Sequence, residues 1–195
     1  NAEWDERELV GVNCQLGLQW TRALLQETAH LSTLDLLTDF PMNVIRPSNC
    51  ITRGMQLHRI VPKAAICAVY GQRLNLQGNA KKSFLDTEDL AKGLLTVLEK
   101  GVVGGTYNCG PENPTSIHDL VELVLVRSGG SWDEVVVEVP ARIGEDACYW
   151  LDSEKLLALG WKPVVSRETM VDRVIKWAGR YPKLADMPFD YKVMP

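Results

Sequence analysis

Short strand-like runs alternate with amphipathic helices along this chain, and that alternation limits the fold more than any other feature of its sequence. Segments 43–45, 74–76 and 106–109 have the apolar, β-branched or alternating character of strands. Apolar spacing predicts helices over 57–70 and 87–100. Because strands alternate with helices, we expect an α/β or α+β domain.

The carboxyl-terminal third continues the alternation. Ser116-Ile117-His118-Asp119 resembles a capping box that opens a helix ending at Gly129-Gly130. A strand is expected over 135–139, and Asp152 and Ser166 are expected to cap two further helices. These signals extend the alternation of strands and helices to about residue 180.

Two predicted helices have clear apolar faces. Segment 8–37 carries a stripe of five residues, Leu24, Leu25, Thr28, Leu31 and Leu34. In the helix over 87–100, with Asp86 as its expected cap, the predicted inward residues are Leu90, Leu94, Val97 and Leu98. Both faces are expected to pack against other elements.

The charge balance narrows the possible partners. Twenty-one basic residues against 25 acidic ones give a net charge of −4. Nucleic-acid-binding domains are usually basic, so that class is disfavoured. No apolar run is long enough to cross a bilayer, and the polar, acidic start does not resemble a signal or transit peptide. We therefore expect neither a nucleic-acid nor a membrane partner.

Cysteine usage indicates the compartment. The five cysteines are scattered and include no CxxC pair: Cys14, Cys50, Cys67, Cys109 and Cys148. A zinc site or a disulfide framework is therefore not expected, and a reducing cytoplasm is the simplest location. The thiols are expected to behave as small buried apolar groups.

Six sequence blocks resemble one enzyme family in order and spacing. They are Arg46-Pro47-Ser48-Asn49, Leu57 to Lys63, Lys82 to Ala91, Tyr107-Asn108-Cys109-Gly110, Arg142 to Tyr149, and Asp152 to Pro163. Together they resemble the carboxyl-terminal part of extended short-chain dehydrogenases/reductases, and more narrowly the nucleotide-sugar epimerases and 4,6-dehydratases.

The resemblance implies a division of the chain and a cofactor. Residues 1–43 would be the helical end or remnant of a Rossmann-like part, 44–180 a nucleotide-sugar-binding α/β part, and 181–195 an irregular tail. The family binds NAD(P) through a glycine-rich loop, yet no GxGxxG or GxxGxxG sequence occurs among the 195 residues. NAD(P) is therefore implied by the family, without its binding loop in this sequence.

The family's catalytic pair is also missing. Its Tyr-x-x-x-Lys uses a tyrosine of lowered pKa as the acid/base. No tyrosine here is followed four residues later by lysine, and counting back from Arg46 by the family spacing reaches Trp20 and Leu24. Neither side chain can do that chemistry, so no catalytic residue and no metal ligand is assigned.

The candidate binding residues come from the resemblance. Arg142, Arg59 and Lys82 would face the diphosphate, because guanidinium and ammonium groups suit phosphate. His58 lies in the same phosphate-crossing segment. Asn49 and Asn113 match positions that contact the substrate or nucleotide, although both also suit turns. For each of the cations, a solvated surface charge is the alternative.

Two functions remain open at this stage. The reading we favour is part of an NAD-dependent nucleotide-sugar epimerase or dehydratase that binds the nucleotide diphosphate. The alternative is a non-catalytic nucleotide-sugar-binding or structural subunit derived from that fold. The resemblance also allows a homodimer.

Overall fold

The computed structural model describes residues 43–141 and 146–189. These residues form nine short strands, six α-helices and one 3-10 helix. The strands are β1 Val44–Pro47, β2 Asn49–Ile51, β3 Leu74–Gln77, β4 Lys81–Lys82, β5 Phe84–Asp86, β6 Thr106–Cys109, β7 Thr115–Ser116, β8 Val136–Val139 and β9 Cys148–Tyr149. The helices are α1 Ile60–Tyr70, α2 Thr87–Lys100, α3 Ile117–Ser128, α4 Trp132–Val135, α5 Glu154–Ala158 and α6 Arg167–Arg180, followed by the 3-10 helix Pro182–Asp186.

The three two-stranded sheets are parallel pairs, and each joins strands that are distant in sequence. β1 pairs with β6, β2 with β5, and β3 with β8. A small three-stranded sheet has the order β7-β4-β9, in which β4 runs antiparallel to β7 and parallel to β9. Parallel pairs need crossover connections, and helices supply most of them here, so the α/β prediction is confirmed.

The core has two parts. The larger cluster packs α1, α3 and α6 against β3 and β8, with Leu74, Leu120 and Val174 fully buried. The smaller cluster packs α2 and α5 against the β1–β6 pair, and includes Leu90 and Trp161. Polar segments between these clusters carry the candidate site.

Helix boundaries follow their caps. The Asp86 carboxylate accepts the backbone N–H of Glu88, and Ser116 Oγ accepts that of Asp119, as predicted. Gly129 ends α3 in the left-handed conformation, where a side chain would be strained. The predicted strands at 43–45, 74–76 and 106–109 correspond to β1, β3 and β6.

One predicted helix face is wrong in part. Leu90 and Val97 of α2 are buried, but Leu94 is 41% and Leu98 is 79% exposed. The buried face is instead completed by Gly93 and Asp89, which lie on the side of Leu90 away from Leu94. Leu94 and Leu98 therefore form part of a separate apolar stripe.

Several other expectations meet a difference or fall outside the described residues. Residues 57–59 form a turn before α1 rather than its first turn, and residues 132–135 form a short helix before β8. The described part of the tail contains the 3-10 helix Pro182–Asp186. The helix and stripe predicted for 8–37 lie outside the described residues. In the described part of the chain, no helix is long and apolar enough to cross a membrane.

Candidate functional site

The carboxyl ends of β1 and β6 lie side by side, where ligands bind in open parallel sheets. The N–H of Ser48 donates to the carbonyl of Cys109 at 2.9 Å, which continues the pairing one residue beyond β1. A Cβ at Gly110 would lie 3.2 Å from Ser48 Cβ, so the chain after β6 passes close to the chain after β1. This approach brings together the loops that follow the two strands.

Asn49 is tied to the strand that carries Lys82. Both its backbone N–H and its Nδ2 donate to the Ser83 carbonyl, each at 3.2 Å. The Oδ1 of Asn49 makes no hydrogen bond to the described residues. Asn49 thus presents Oδ1 as a hydrogen-bond acceptor beside β4, while its Nδ2 holds β2 to the residue that follows β4.

Lys82 occupies the centre of the small sheet. It lies in register with Thr115 of β7 and Tyr149 of β9. Successive side chains on a strand point to opposite faces, so half-buried Lys82 and exposed Lys81 face opposite ways. The sheet therefore fixes which of two adjacent lysines faces a given ligand.

Asn113 lies in the bend that leads from β6 to β7. It is exposed, and Thr115, two residues later, pairs with Lys82. Asn49, Lys82 and Asn113 therefore lie on three segments that are β4 itself or are connected to it directly or within two residues. Arg142 lies outside the described residues.

His58 and Arg59 are carried by a different element. They stand in the turn before α1, with Arg59 at the N-cap and both side chains half-buried. Arg59 Nε donates to Gln56 Oε1 at 3.4 Å. The amino end of a helix carries a partial positive charge, which adds to these cations in favouring an anion.

A cleft on the β1–β6 pair was not predicted from the sequence. Arg46, Thr106, Asn108, Asp152 and Lys155 line about 310 Å³ there. The buried Nε of Arg46 has no hydrogen-bond partner among the described residues, while Asn108 Nδ2 donates to the Asp152 carbonyl at 2.8 Å. The alternation of side chains along β1 and β6 would have placed Arg46 and Asn108 on the same face of the sheet. That prediction requires the register of β1 with β6, which the sequence does not supply.

A second missed cleft, of about 370 Å³, contains an ionic network. Arg173 of α6 contacts Asp86 at 3.0 Å and Glu88 at 3.2 Å. Hydrogen bonds from Lys92 and then Arg173 lower the pKa of Glu88, and the charge of Asp86 is the main cause that raises the pKa of Arg173. The network joins α6 to the start of α2.

The buried thiols do not form a nucleophilic site. Burial, with a smaller contribution from Asp86, raises the pKa of Cys50 to about 11. Burial also raises the pKa of Cys109 to about 12. Thiols are nucleophilic as thiolates, so Cys50 and Cys109 are inert near neutral pH. Cys67 is buried as predicted, whereas Cys148 on β9 is exposed, contrary to prediction, because it lies on the outer strand of a three-stranded sheet.

The start of α2 does not fit the pyrophosphate of a dinucleotide. Such a group is held at a helix N-terminus that follows a glycine-rich turn after a strand. The helix that directly follows β5, α2, is instead capped by the Asp86 carboxylate and carries Glu88 and Asp89 in its first turn. Negative charge there repels a phosphate, so no step is assigned to NAD(P) at these residues.

Comparisons with known proteins agree with this architecture. Residues 36–110 match the model of the NAD dependent epimerase/dehydratase family. The chain is 29% identical to mouse dTDP-D-glucose 4,6-dehydratase over 145 residues, which cover 71% of this chain and 41% of that protein. It is 31% identical to dTDP-glucose 4,6-dehydratase 1 of Escherichia coli K12 over 142 residues, which cover 67% of this chain and 39% of that protein.

A solved structure gives the same result. The dTDP-glucose 4,6-dehydratase DesIV of Streptomyces venezuelae, with NAD bound, superposes with a TM-score of 0.67 at 25% identity. The match covers 74% of this chain and 45% of that one. Parallel strands linked through helices, with polar side chains at their carboxyl ends, thus define a Rossmann-type α/β protein of the extended short-chain dehydrogenase/reductase class. The chain belongs to the NAD dependent epimerase/dehydratase family and spans about two-fifths of the length of the curated relatives it matches.

Proposed function

We propose that this chain forms the nucleotide-sugar-binding part of an NAD-dependent nucleotide-sugar epimerase or dehydratase. Its ligand would be a nucleoside diphosphate sugar such as the dTDP-glucose named for its relatives. NAD(P) would be held by residues other than those of the described part. A cytoplasmic location is proposed with it from the scattered cysteines, and a homodimer from the family resemblance.

One observation supports this proposal: Asn49 bonds to Ser83 next to Lys82, and Asn113 lies two residues before Thr115, the residue that pairs with Lys82. Three separate segments are needed to build that arrangement, and the bonds to Ser83 and the pairing of β4 with β7 hold it. The Lys82 ammonium would attract the diphosphate, with Arg59 and Arg142 as further cations. Asn49 Oδ1 would accept a hydrogen bond from a sugar hydroxyl or a base N–H.

The site's contribution is binding and orientation. The Lys82 ammonium is a point charge, whereas the planar guanidinium of an arginine can make two parallel hydrogen bonds to a phosphate. Lys82 therefore neutralises the phosphate without fixing its rotation. Orientation would then depend on Asn49 and on the cations at the start of α1. A substrate-binding part of this kind contributes to catalysis by holding the sugar in one orientation.

The proposal is tested by calorimetric titration of the chain with dTDP-glucose at low salt. Replacing Lys82 by Gln should weaken binding about tenfold, because it removes one charge-assisted hydrogen bond worth roughly 1.4 kcal/mol. Asn49→Ala should also weaken binding severalfold.

Lys81→Gln is the matched control, since it removes the same charge from the opposite face of the same strand. It should leave binding within about twofold. Equal losses in Lys81→Gln and Lys82→Gln would point to general charge attraction and contradict the site. Absence of any binding by the unaltered chain would contradict the proposal as a whole.

A second candidate is nucleotide-sugar binding without turnover. It is favoured by one observation: none of the 195 residues supplies a Tyr-x-x-x-Lys pair. Incubating the chain with NAD and dTDP-glucose, and following the sugar nucleotide by mass spectrometry and proton NMR, tests for turnover. Loss of one water would support a dehydratase and inversion at a sugar carbon would support an epimerase, whereas binding with neither change would favour the second candidate.

A further inference from the structure

Ser153 occupies the N-cap position of α5, but its side chain does not cap that helix. A serine at this position usually accepts a backbone N–H of its own first turn. Here the Asp152 carboxylate accepts the N–H of Glu154 at 2.9 Å instead, and the Ser153 side chain makes no capping hydrogen bond to α5. The backbone carbonyl of Ser153 accepts the N–H groups of Leu156 and Leu157. The Ser153 hydroxyl is therefore available to another part of the chain.

That other part is Gly110, the first residue after β6. The N–H of Gly110 donates to Ser153 Oγ at 3.0 Å, across 43 residues of sequence, and the bond is buried. A buried backbone N–H requires an acceptor, and β6 ends at Cys109, so Gly110 takes its acceptor from Ser153 rather than from a strand. A Cβ at Gly110 would lie 3.2 Å from Ser48 Cβ and 3.7 Å from Leu151 Cβ. Gly110 is therefore closely packed as well as hydrogen-bonded.

The loop 110–114 carries Asn113 and begins at the bond to Ser153. At the other end of the loop, Thr115 pairs with β4. Two of the five loop residues are prolines, which have no backbone N–H to donate. The position of Asn113 therefore depends strongly on how the two ends of the loop are held.

A second hydrogen bond joins the same two segments. Asn108 Nδ2 donates to the Asp152 carbonyl at 2.8 Å, two residues before Gly110 and one residue before Ser153. This bond holds the end of β6 to the start of α5 without the Ser153 hydroxyl. Loss of the hydroxyl should therefore release the loop while β6 and α5 stay in place.

We propose that Ser153 is a positioning residue, whose hydroxyl fixes the start of the loop 110–114 and thereby the place of Asn113 relative to β4. The proposal rests on the proposed function, in which Asn113 contacts the nucleotide sugar. Ser153 does not touch the ligand and acts through Asn113. A loop that is already ordered binds more tightly, because less conformational freedom is lost when the ligand arrives.

Hydrogen exchange followed by NMR tests the role of the hydroxyl without any ligand. In Ser153→Ala, the amide of Gly110 should exchange at least about tenfold faster than in the unaltered chain, because it loses its acceptor. The amides of α1 should keep their rates. Ser153→Thr retains the hydroxyl and should keep the exchange of Gly110 slow. Unchanged exchange of Gly110 in Ser153→Ala would overturn the inference.

Calorimetric titration with dTDP-glucose tests the link to Asn113. Ser153→Ala should weaken binding about fivefold, because the loop must then be ordered on binding, and Ser153→Thr should restore the affinity. In the Asn113→Ala background, Ser153→Ala should change the affinity by less than about twofold, since the side chain that it positions is gone. A full loss in that background would show that Ser153 does not act through Asn113 and would overturn the inference.

Ser166→Ala is the matched control. Ser166 is the N-cap of α6, and its Oγ accepts the N–H of Thr169 in its own helix at 3.2 Å. Ser166→Ala should therefore lower the melting temperature while binding and the exchange of Gly110 stay unchanged. A loss of binding equal to that of Ser153→Ala would indicate general destabilisation and contradict the inference.

Failure of the proposed function gives a different result. If the unaltered chain does not bind dTDP-glucose, the proposed function is contradicted. The exchange of Gly110 in Ser153→Ala then decides by itself whether Ser153 fixes the loop.

Discussion

Asp89 holds a carboxylate in a fully buried position and connects two distant parts of the chain. Its Oδ2 accepts the N–H groups of Val164 and Val165 at 3.0 and 2.8 Å, across 75 and 76 residues of sequence. Its backbone carbonyl accepts Trp161 Nε1 at 2.9 Å. Asp89 therefore fixes the segment before α6 against α2.

Replacing Asp89 by Ala should lower the free energy of unfolding by about 2 kcal/mol or more. The reason is that two backbone N–H groups lose their acceptor, each at about 1–3 kcal/mol if left without one. Urea unfolding followed by tryptophan fluorescence measures the change. Glu99→Ala on the same helix, at an exposed position, should stay within about 0.5 kcal/mol, and a similar loss there would contradict the role given to Asp89.

The buried thiols are expected to lower the free energy of unfolding at alkaline pH. In the folded state the pKa of Cys109 is raised to about 12 by burial, whereas an unfolded thiol releases its proton near pH 8.5. Above that pH the folded state binds more protons than the unfolded chain, so stability falls as the pH rises.

Cys109→Ala should therefore reduce the loss of stability between pH 7.5 and pH 10. The difference expected is roughly 1–2 kcal/mol, since each pH unit of unequal ionisation corresponds to about 1.4 kcal/mol. The urea concentration at half-unfolding, measured at the two pH values, gives this loss of stability. Lysines and tyrosines also titrate in this range, but their effect is the same in the variant and the unaltered chain and is removed by subtracting one from the other. Identical pH dependence in the two proteins would contradict the assignment.

At the scale of elements, α2 is positioned by a residue without a side chain. A Cβ at Gly93 would lie 2.9 Å from Cys109 Sγ and 3.3 Å from Trp161 Nε1. The helix can approach β6 and α5 this closely only with glycine at that position. By contrast, Gly179 in α6 has no atom within 4 Å of the equivalent Cβ position.

The two glycines should respond in opposite ways to alanine. Gly93→Ala should destabilise the protein by about 1–3 kcal/mol, because overpacking outweighs the better helix propensity of alanine. Gly179→Ala should stabilise it by about 0.5–1 kcal/mol through propensity alone. Thermal unfolding by circular dichroism compares them, and a shift of the same sign in both would contradict the packing.

The elements predicted from sequence are those whose signals are local. Ser116 and Asp86 cap helices through residues two or three positions away, and β3 alternates within four residues. Strands β4, β5, β7 and β9 have two or three residues each and exist through partners elsewhere in the chain, so no local signal marks them. The site divides in the same way: motifs indicated Lys82 and Asn49, whereas the Arg46 cleft depends on the register of β1 with β6.

At the scale of the whole molecule, exposed ion pairs join helices of the larger core cluster. Arg127 of α3 and Asp172 of α6 form a two-pronged pair. The hydrogen bond from Arg127 is the main cause that lowers the pKa of Asp172, and backbone and Ser166 hydrogen bonds lower that of Glu168. Such pairs contribute little singly because both groups remain in water.

We expect the carboxylates of Asp172 and Glu168 to make the folded protein slightly less stable at acidic pH. Their folded pKa values lie below the unfolded ones, so their contribution is complete above about pH 4.5 and is lost as the pH falls through the folded values. Asp172→Asn should show a smaller drop in melting temperature between pH 6 and pH 3 than the unaltered chain, and 1 M NaCl should reduce the difference. An equal or larger drop in the variant would contradict the stabilising role of the pair.

The three two-stranded parallel sheets also determine the order in which paired strands are synthesised. The amino-terminal member of each pair leaves the ribosome well before its partner: Leu74 of β3 lies opposite Val136 of β8, and Val44 of β1 opposite Thr106 of β6. At a typical translation rate of 5–20 residues per second, β3 waits roughly 3 to 12 seconds for β8. During that interval Leu74 and Leu76, which end fully or nearly fully buried, have no strand to pair with. The nascent chain is therefore exposed to misassociation until β8 emerges, and a chaperone that binds apolar extended segments would act in that window.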